Sequence, residues 1–278
     1  MQTDERDALD FQCCAKALKQ ADALLITAGA GMGVDSGLPD FRGTAGFWQA
    51  YPALAQAGLQ FSEVACPDTF HHDPALAWGF YGHRLKLYRA TQPHAGFAIL
   101  REFARNMAFG AFVYTSNVDG QFQQAGFSSD QIIECHGSIH YLQCLQGCRG
   151  DIWSASGFEP QVDEANCRLI NSPPRCPHCG GIARPNIFMF GDGYWLDERF
   201  RQQEARYDKW RADRKKLVVI ELGTGTAIPS VRYFSEYQDG FIIRINPREA
   251  NLPARCRGVS LAMPALAALL KMQLAELT

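Results

Sequence analysis

The stretch Ile26-Thr27-Ala28-Gly29-Ala30-Gly31-Met32-Gly33-Val34-Asp35-Ser36-Gly37-Leu38-Pro39-Asp40-Phe41-Arg42-Gly43 decides the fold. It continues an apolar run beginning at residue 23 that reads as a buried strand. Gly29, Gly31 and Gly33 then allow positive φ and let backbone N–H groups approach an anion closely. A strand followed by a glycine turn is how a doubly wound α/β fold cradles a dinucleotide pyrophosphate. Val34 stands where G-x-G-x-x-G wants its third glycine, so the glycines alone also fit a flexible βα loop. What sharpens the reading is Pro39 to Arg42, a rigid turn followed by an acid, a ring and a guanidinium.

Outward from this stretch, residues 112–115, 131–135, 217–222 and 241–245 are further short apolar runs of buried-strand type. Helical patterns cover residues 3–20, with Thr3 as a candidate cap and Leu9, Cys13 and Ala17 on one face, and residues 96–109 and 264–277. Residues 44–93 show no strand pattern and read as a helical insert, its best helix running over 74–88 from Pro74. Residues 143–184 lose apolar periodicity and gain cysteine, proline and glycine, the mark of a small separate module. Strands joined by long or helical connections predict a parallel sheet, with ligands beyond the carboxyl ends of its strands. The glycine loop, Asn117, His136 and Gly223 each follow a predicted strand, so they converge on one edge.

Composition narrows the class. Hydrophobic residues at 47% and charged residues at 20% are those of a soluble globular protein. A net charge of −2 gives no footprint for nucleic acid or an anionic membrane. No apolar run approaches the roughly 20 residues that span a bilayer. The first ten residues are polar and acidic, unlike a signal peptide, so the ten cysteines are expected to be reduced, in the cytoplasm.

Three groups carry candidate chemistry. Cys144-x3-Cys148 and Cys176-x2-Cys179 are two close thiol pairs separated by 27 residues in one polar segment, a pattern suited to tetrahedral zinc. Unrelated reduced cysteines or one redox pair fit the spacing too, and Cys135, Cys167 and His178 are spare ligands. His136 ends a strand beside Gly137, where an imidazole matched to proton transfer near pH 7 stands little shielded; a structural strand-end histidine is the alternative. Asn117 and Asp119, two apart after a strand, suit a carboxamide and a ribose hydroxyl, or Asp119 caps a helix. Gly223-Thr224-Gly225-Thr226 is a second glycine turn, and Asn246 ends the following strand. Tyr81 and Arg84 are i, i+3 neighbours on the predicted helix, where a phenol and a guanidinium side by side can hold a carboxylate; an amphipathic helix with Arg84 solvated is the plainer reading.

The opening stretch resembles the sirtuin signature G-A-G-x-S-x-x-S-G-I-P-D-F-R. The likeness continues at Thr115 to Gly120 (T-Q-N-x-D-x-L), at His136-Gly137-Ser138, at Arg184-Pro185 with Phe190-Gly191-Asp192 (R-P…F-G-E), and at Gly223 to Thr226 (G-T-S). Five blocks stand in family order from about residue 21 to 246. The resemblance implies an α/β fold: a Rossmann-like parallel sheet with a smaller domain made of a helical insert and a structural zinc module. On this sequence the NAD-binding domain would be residues 1–43, 94–140 and 184–278, the insert 44–93 and the zinc module 141–183.

The implied activity is NAD-dependent protein-lysine deacylation, transferring the acyl group to ADP-ribose and releasing nicotinamide. By resemblance His136 is the general base, and Asn117 and Asp119 hold nicotinamide and its ribose. Gly29, Ala30, Gly31, Asp40, Phe41, Arg42, Ser116, Gly223, Thr224 and Asn246 would bind NAD. Ile187, Phe190 and Gly191 would bind an acylated protein or peptide as an added strand. Phe80-Tyr81-x-x-Arg84 resembles the helix of the sirtuin branch that removes succinyl and malonyl groups, although His83, Trp48 and Phe61 would make the surroundings more apolar. Zinc on Cys144, Cys148, Cys176 and Cys179 would be structural. Ser116 replaces the usual Gln and Gly33 a usual Ser, which keeps an ADP-ribosyltransferase or NADase open as an alternative. An NAD-sensing module without catalysis is the alternative of another class.

Overall fold

Every apolar run singled out in the sequence forms a strand. The computed structural model describes residues 2–39, 43–212 and 216–277. Its strands in chain order are β1 (Ala23–Ala28), β2 (Ala111–Thr115), β3 (Ile132–Glu134), β4 (Gly137–Cys144), β5 (Ile152–Ser154) and β6 (Val162–Asp163). These are followed by β7 (Arg168–Leu169), β8 (Ala183–Ile187), β9 (Leu217–Leu222), β10 (Phe241–Ile245) and β11 (Gly258–Leu261). Six of them make a wholly parallel sheet in the order β11-β10-β9-β1-β2-β3. The chain winds outward from β1 to β3, returns to the other side of β1 at β9, and winds outward again. The direction reverses between β1 and β9, and there the crevice for a ligand opens. Ala28 lies level with both Thr115 and Leu222, so three strand ends deliver their loops to one place.

β1, β2 and β9 are buried along their whole length, which is why they appear in sequence as largely apolar runs, broken only by the buried Thr27, Thr115 and Glu221. β11 had no such signal. It is a four-residue edge strand with only Val259 and Leu261 buried, too short to show a period.

Helices cover both faces of the sheet. One face packs on the helices Gln2–Gln20, Ala95–Arg105 and Ala265–Leu277, the other on Glu198–Arg211 and Ser230–Glu236. The first helix corrects the sequence reading. It starts at Gln2, so Thr3 is inside it, and it buries Phe11, Cys14 and Leu18 while Leu9 is 61% exposed. Two stripes at helical spacing were available, and packing against the last helix chose between them.

The insert is helical as expected, with helices Gly43–Ala50, Pro52–Gln56, Phe61–Val64, Pro67–His72 and Pro74–Ala90. Pro52, Pro67 and Pro74 each open one, where the missing N–H costs nothing. Its Phe47, Phe70, Trp78 and Tyr81 share one buried cluster with Ile139, Leu142, Leu169 and Ala183 of the smaller sheets. Trp78 Nε1 donates to the Ala183 carbonyl at 2.9 Å, and Arg168 donates to both oxygens of Asp73 at 2.9 and 2.8 Å. The smaller sheet, β5-β4-β8, is antiparallel; it is entered at Gly137 and left at Ile187, further each way than composition marks. Among the described residues no helix is long and apolar enough to cross a membrane.

Candidate active site

The glycine turns after β1 and β9 meet at the floor of a cleft of about 680 Å³. Gly31 N–H donates to the Gly223 carbonyl at 3.1 Å. A Cβ on Gly29 would come within 2.9 Å of the Gly223 oxygen, and one on Gly223 within 2.4 Å of Gly31 Cα. The turns approach this closely only without side chains, and Gly223 adopts φ +60°. Among the described residues the N–H groups of Ala30, Thr224 and Gly225 meet no acceptor, the set a pyrophosphate of NAD would take.

Of the sequence-predicted residues, Gly29, Ala30, Ser116, Asn117, Asp119, His136, Gly223 and Thr224 line the cleft from the sheet side, Tyr81 and Arg84 from the insert, and Ile187 and Phe190 from a third side. Gly31 and Gly191 lie off its lining. Asp40, Phe41 and Arg42 lie outside the described residues. Asn246 is fully buried, its Nδ2 donates to the Thr224 carbonyl at 2.7 Å, and its Oδ1 accepts from Arg248 and Glu249 N–H at 2.9 and 3.0 Å. Through its bond to the Thr224 carbonyl, Asn246 braces the second turn. Thr224 Oγ1 in turn donates to buried Glu221, which is neutralised by Arg244 at 2.7 Å.

Asn117 Nδ2 donates to the Gly29 carbonyl at 3.0 Å and so ties the loop after β2 to the first turn. Asp119 caps as well as lines: its Oδ1 accepts the Gln121 N–H at 2.9 Å. Its carboxyl is pushed up to about 6 from an ordinary 3.8, chiefly by burial, with Gln121 and Arg84 opposing and Glu134 assisting. A carboxyl raised on folding stabilises the fold fully below its unfolded pKa, and that contribution is lost as pH rises through about 6. Asp119→Asn is therefore expected to stabilise the ligand-free protein at pH 8 by on the order of 2 kcal/mol, and not at pH 4. Denaturant unfolding at the two pH values measures this; equal stabilities at pH 8 would show that ionised Asp119 carries no burden.

His136 is half-buried at the mouth of β4, and burial lowers its pKa, so the ring is neutral at pH 7. Among the described residues neither ring nitrogen has a hydrogen-bond partner, while its carbonyl is held by the Phe188 N–H at 2.9 Å. A fixed backbone with an uncommitted neutral imidazole is what a general base needs.

The insert side departs from expectation. Arg84 is 8% exposed rather than solvated. Its Nε donates to Tyr88 Oη at 2.9 Å, and its guanidinium lies 5.2, 5.9 and 5.4 Å from the ring centres of Phe80, Tyr81 and Tyr88. Phe61 joins the lining, but Trp48 is spent on the Leu59 carbonyl and His83 on Tyr51 Oη. On the third side, the N–H groups of Phe188 and Phe190 already donate to His136 and Ala65, which leaves fewer main-chain donors for an added strand than the sequence implied.

The four cysteines stand apart from the cleft. Cys144 and Cys179 Sγ are 3.7 Å apart, Cys148 and Cys176 Sγ 3.5 Å, and all four lie within 4.8 Å of one another. A tetrahedron of sulfurs at 2.3 Å from zinc has edges of about 3.8 Å, so the donor set fits that ion. The spare ligands are excluded: Cys135 and Cys167 are buried elsewhere, and His178 pairs with Asp151 at 2.6 Å. Among the described residues no other cluster of this kind exists.

The sequence profile of the Sir2 family matches residues 29–228. The chain belongs to the Sir2 family. It is 30% identical over 247 residues to NAD-dependent protein deacylase 1 of Caldanaerobacter subterraneus subsp. tengcongensis, covering 88% of this chain and 90% of that one. It is 31% identical over 229 residues to a probable bifunctional ADP-ribose hydrolase/ADP-ribosyltransferase of Fusarium oxysporum f. sp. cubense, covering 77% of this chain but 37% of the relative. Its fold is similar to that of a mutant Sir2 homologue in complex with ADP-ribose, with a TM-score of 0.69, 25% identity and 94% coverage of both chains.

Within this sirtuin several block residues gain a physical reason. Arg184 and Asp192 form a fully buried bidentate pair at 2.7 and 2.9 Å, which folds the 188–192 loop back on β8. Removing one partner of such a pair typically costs about 3–5 kcal/mol. Leu38 packs on Gly33, where a Cβ would sit 3.1 Å from Leu38 Cδ1. Tyr88, Phe188 and Met189 also line the cleft and had no motif to announce them. Tyr88 was legible only as i+4 from Arg84 on one helix face.

Proposed function

We propose that this sirtuin is an NAD-dependent protein-lysine deacylase acting on acylated protein or peptide in the cytoplasm, not on nucleic acid. The observation that carries the reading is that His136, Asn117 and Asp119 line one cleft with both glycine turns at the switch point of the sheet. NAD supplies the ADP-ribose that accepts the acyl group, with nicotinamide as leaving group. Asn117 and Asp119 bind the nicotinamide and ribose end, Gly29, Ala30, Ser116, Gly223 and Thr224 the remainder. The amide oxygen of the acyl-lysine would first displace nicotinamide at the anomeric carbon. His136, neutral through burial, would then take the proton of a ribose hydroxyl that captures the acyl carbon, the amide C–N bond breaking to release free lysine. Ile187 and Phe190 flank the acyl-lysine, and Tyr81 and Arg84 close the acyl end. In our reading the cleft divides a Rossmann-like domain (1–43, 94–140, 184–278) from the insert (44–93) and zinc module (141–183).

Incubating the protein with NAD, with and without acyl-lysine peptides, tests this. Nicotinamide release that requires peptide is expected. Comparing succinyl-lysine with acetyl-lysine in the parent and in Arg84→Met tests the acyl end. An Arg contact to a carboxylate is worth about 1.5–3 kcal/mol, so the succinyl preference should fall by roughly tenfold or more in the variant. A parent that favours acetyl, or an unchanged ratio, makes Arg84 structural. Ser116, Gly33 and the likeness to the Fusarium protein favour ADP-ribosyl transfer as a second reading; labelled protein without acyl-lysine consumption would establish it.

A further inference from the structure

β4 does not pair evenly with β8. Ser138 faces Asn186 and Leu142 faces Pro185, so three residues of β4 stand opposite none of β8. Such a bulge re-aims side chains and backbone. Here it sends them toward the loop after β2. Ile139 N–H donates to the Val118 carbonyl at 3.0 Å, and His140 Nε2 lies 2.8 Å from the Asp119 carbonyl oxygen. A ring nitrogen facing a carbonyl must be the donor, which assigns the His140 proton to Nε2. The ring also covers Gly120, where a Cβ would meet its Nε2 and Cδ2 at 2.7 Å and where φ is +74°.

We infer that His140 is a positioning residue, fixing the loop that bears Asn117 and Asp119 at a set place relative to His136, four residues earlier on the same stretch of chain. The need is physical. An ionised Asp119 at 9% exposure tends to leave its site, and the helix after it, Gln121–Gln124, is a single turn. A hydrogen bond from a strand of the smaller sheet holds the loop from the side away from β1. Without it, bound NAD has to order the loop itself. That cost falls on binding, so KM for NAD rises while kcat holds. The consequence for turnover rests on the proposed function; the consequence for loop order does not.

The test compares His140→Phe, which keeps a ring over Gly120 but donates nothing, with His140→Gln, whose amide reaches the same carbonyl. In the ligand-free protein, amide hydrogen exchange over residues 116–124 should quicken about tenfold in His140→Phe, the worth of one net hydrogen bond, and return toward the parent rate in His140→Gln. KM for NAD should follow the same order, with melting temperature and zinc content unchanged. Parent-like exchange in His140→Phe overturns the inference, and so does equal loss in both variants. Should His140→Phe fail to fold, His140→Asn, too short to reach, takes its place against His140→Gln on the same criteria. A parent that releases no nicotinamide would defeat the proposed function and leave the exchange result standing.

Discussion

His136→Ala is expected to lower acyl transfer by about 10²–10⁴-fold, the usual contribution of a general base. The fold should survive, because among the described residues the ring makes no hydrogen bond and its strand is held through the backbone. NAD binding should survive as well, since the glycine turns and Asn117 are held to one another by hydrogen bonds in which His136 takes no part. The pH profile adds a sign. A histidine whose pKa is lowered by burial loses activity only as pH falls below that lowered value, so the acid limb should lie below the ordinary histidine value of 6.5. Steady-state rates from pH 5 to 8, with NAD affinity measured separately, decide the matter. An alanine variant that deacylates at the parent rate would remove His136 from the chemistry.

The second large effect concerns the cysteines. One zinc per chain is expected, and Cys176→Ser should yield protein that is unfolded around the smaller sheets rather than merely inactive. Structural zinc contributes roughly 10 kcal/mol or more to small metal-held folds. Here it closes β4, through Cys144, onto the hairpin of Cys176 and Cys179. The effect should reach the insert, because Trp78, Phe70 and Leu142 share one buried cluster. Elemental analysis together with circular dichroism checks it. Zinc-free parent protein with full helical signal would contradict it, as would a serine variant that keeps its metal. Cys167→Ser should leave zinc content untouched, because Cys167 lies outside the cluster.

What the sequence by itself determined is local. β9 and β10 match their runs residue for residue, and β1 and β2 extend theirs by one or two, because buried strands are mostly apolar, and the charged exceptions, Glu221 and Arg244, pair with each other across β9 and β10. The glycine turn, the helix start at Pro74 and the two thiol pairs were legible for the same reason: each is forced by a neighbour within a few residues. The tertiary structure decided what depends on distant partners. Asn246 braces the second glycine turn through the carbonyl of Thr224, 22 residues before it. The buried stripe of the first helix was chosen by the last helix, and two of the spare zinc ligands, Cys135 and Cys167, were excluded by where β3 and β7 place them. His140 reads in sequence as one histidine among seven. Only the bulge in β4 brings it to Asp119, and no pattern along a chain records a register shift between strands so distant in sequence as Gly137–Cys144 and Ala183–Ile187.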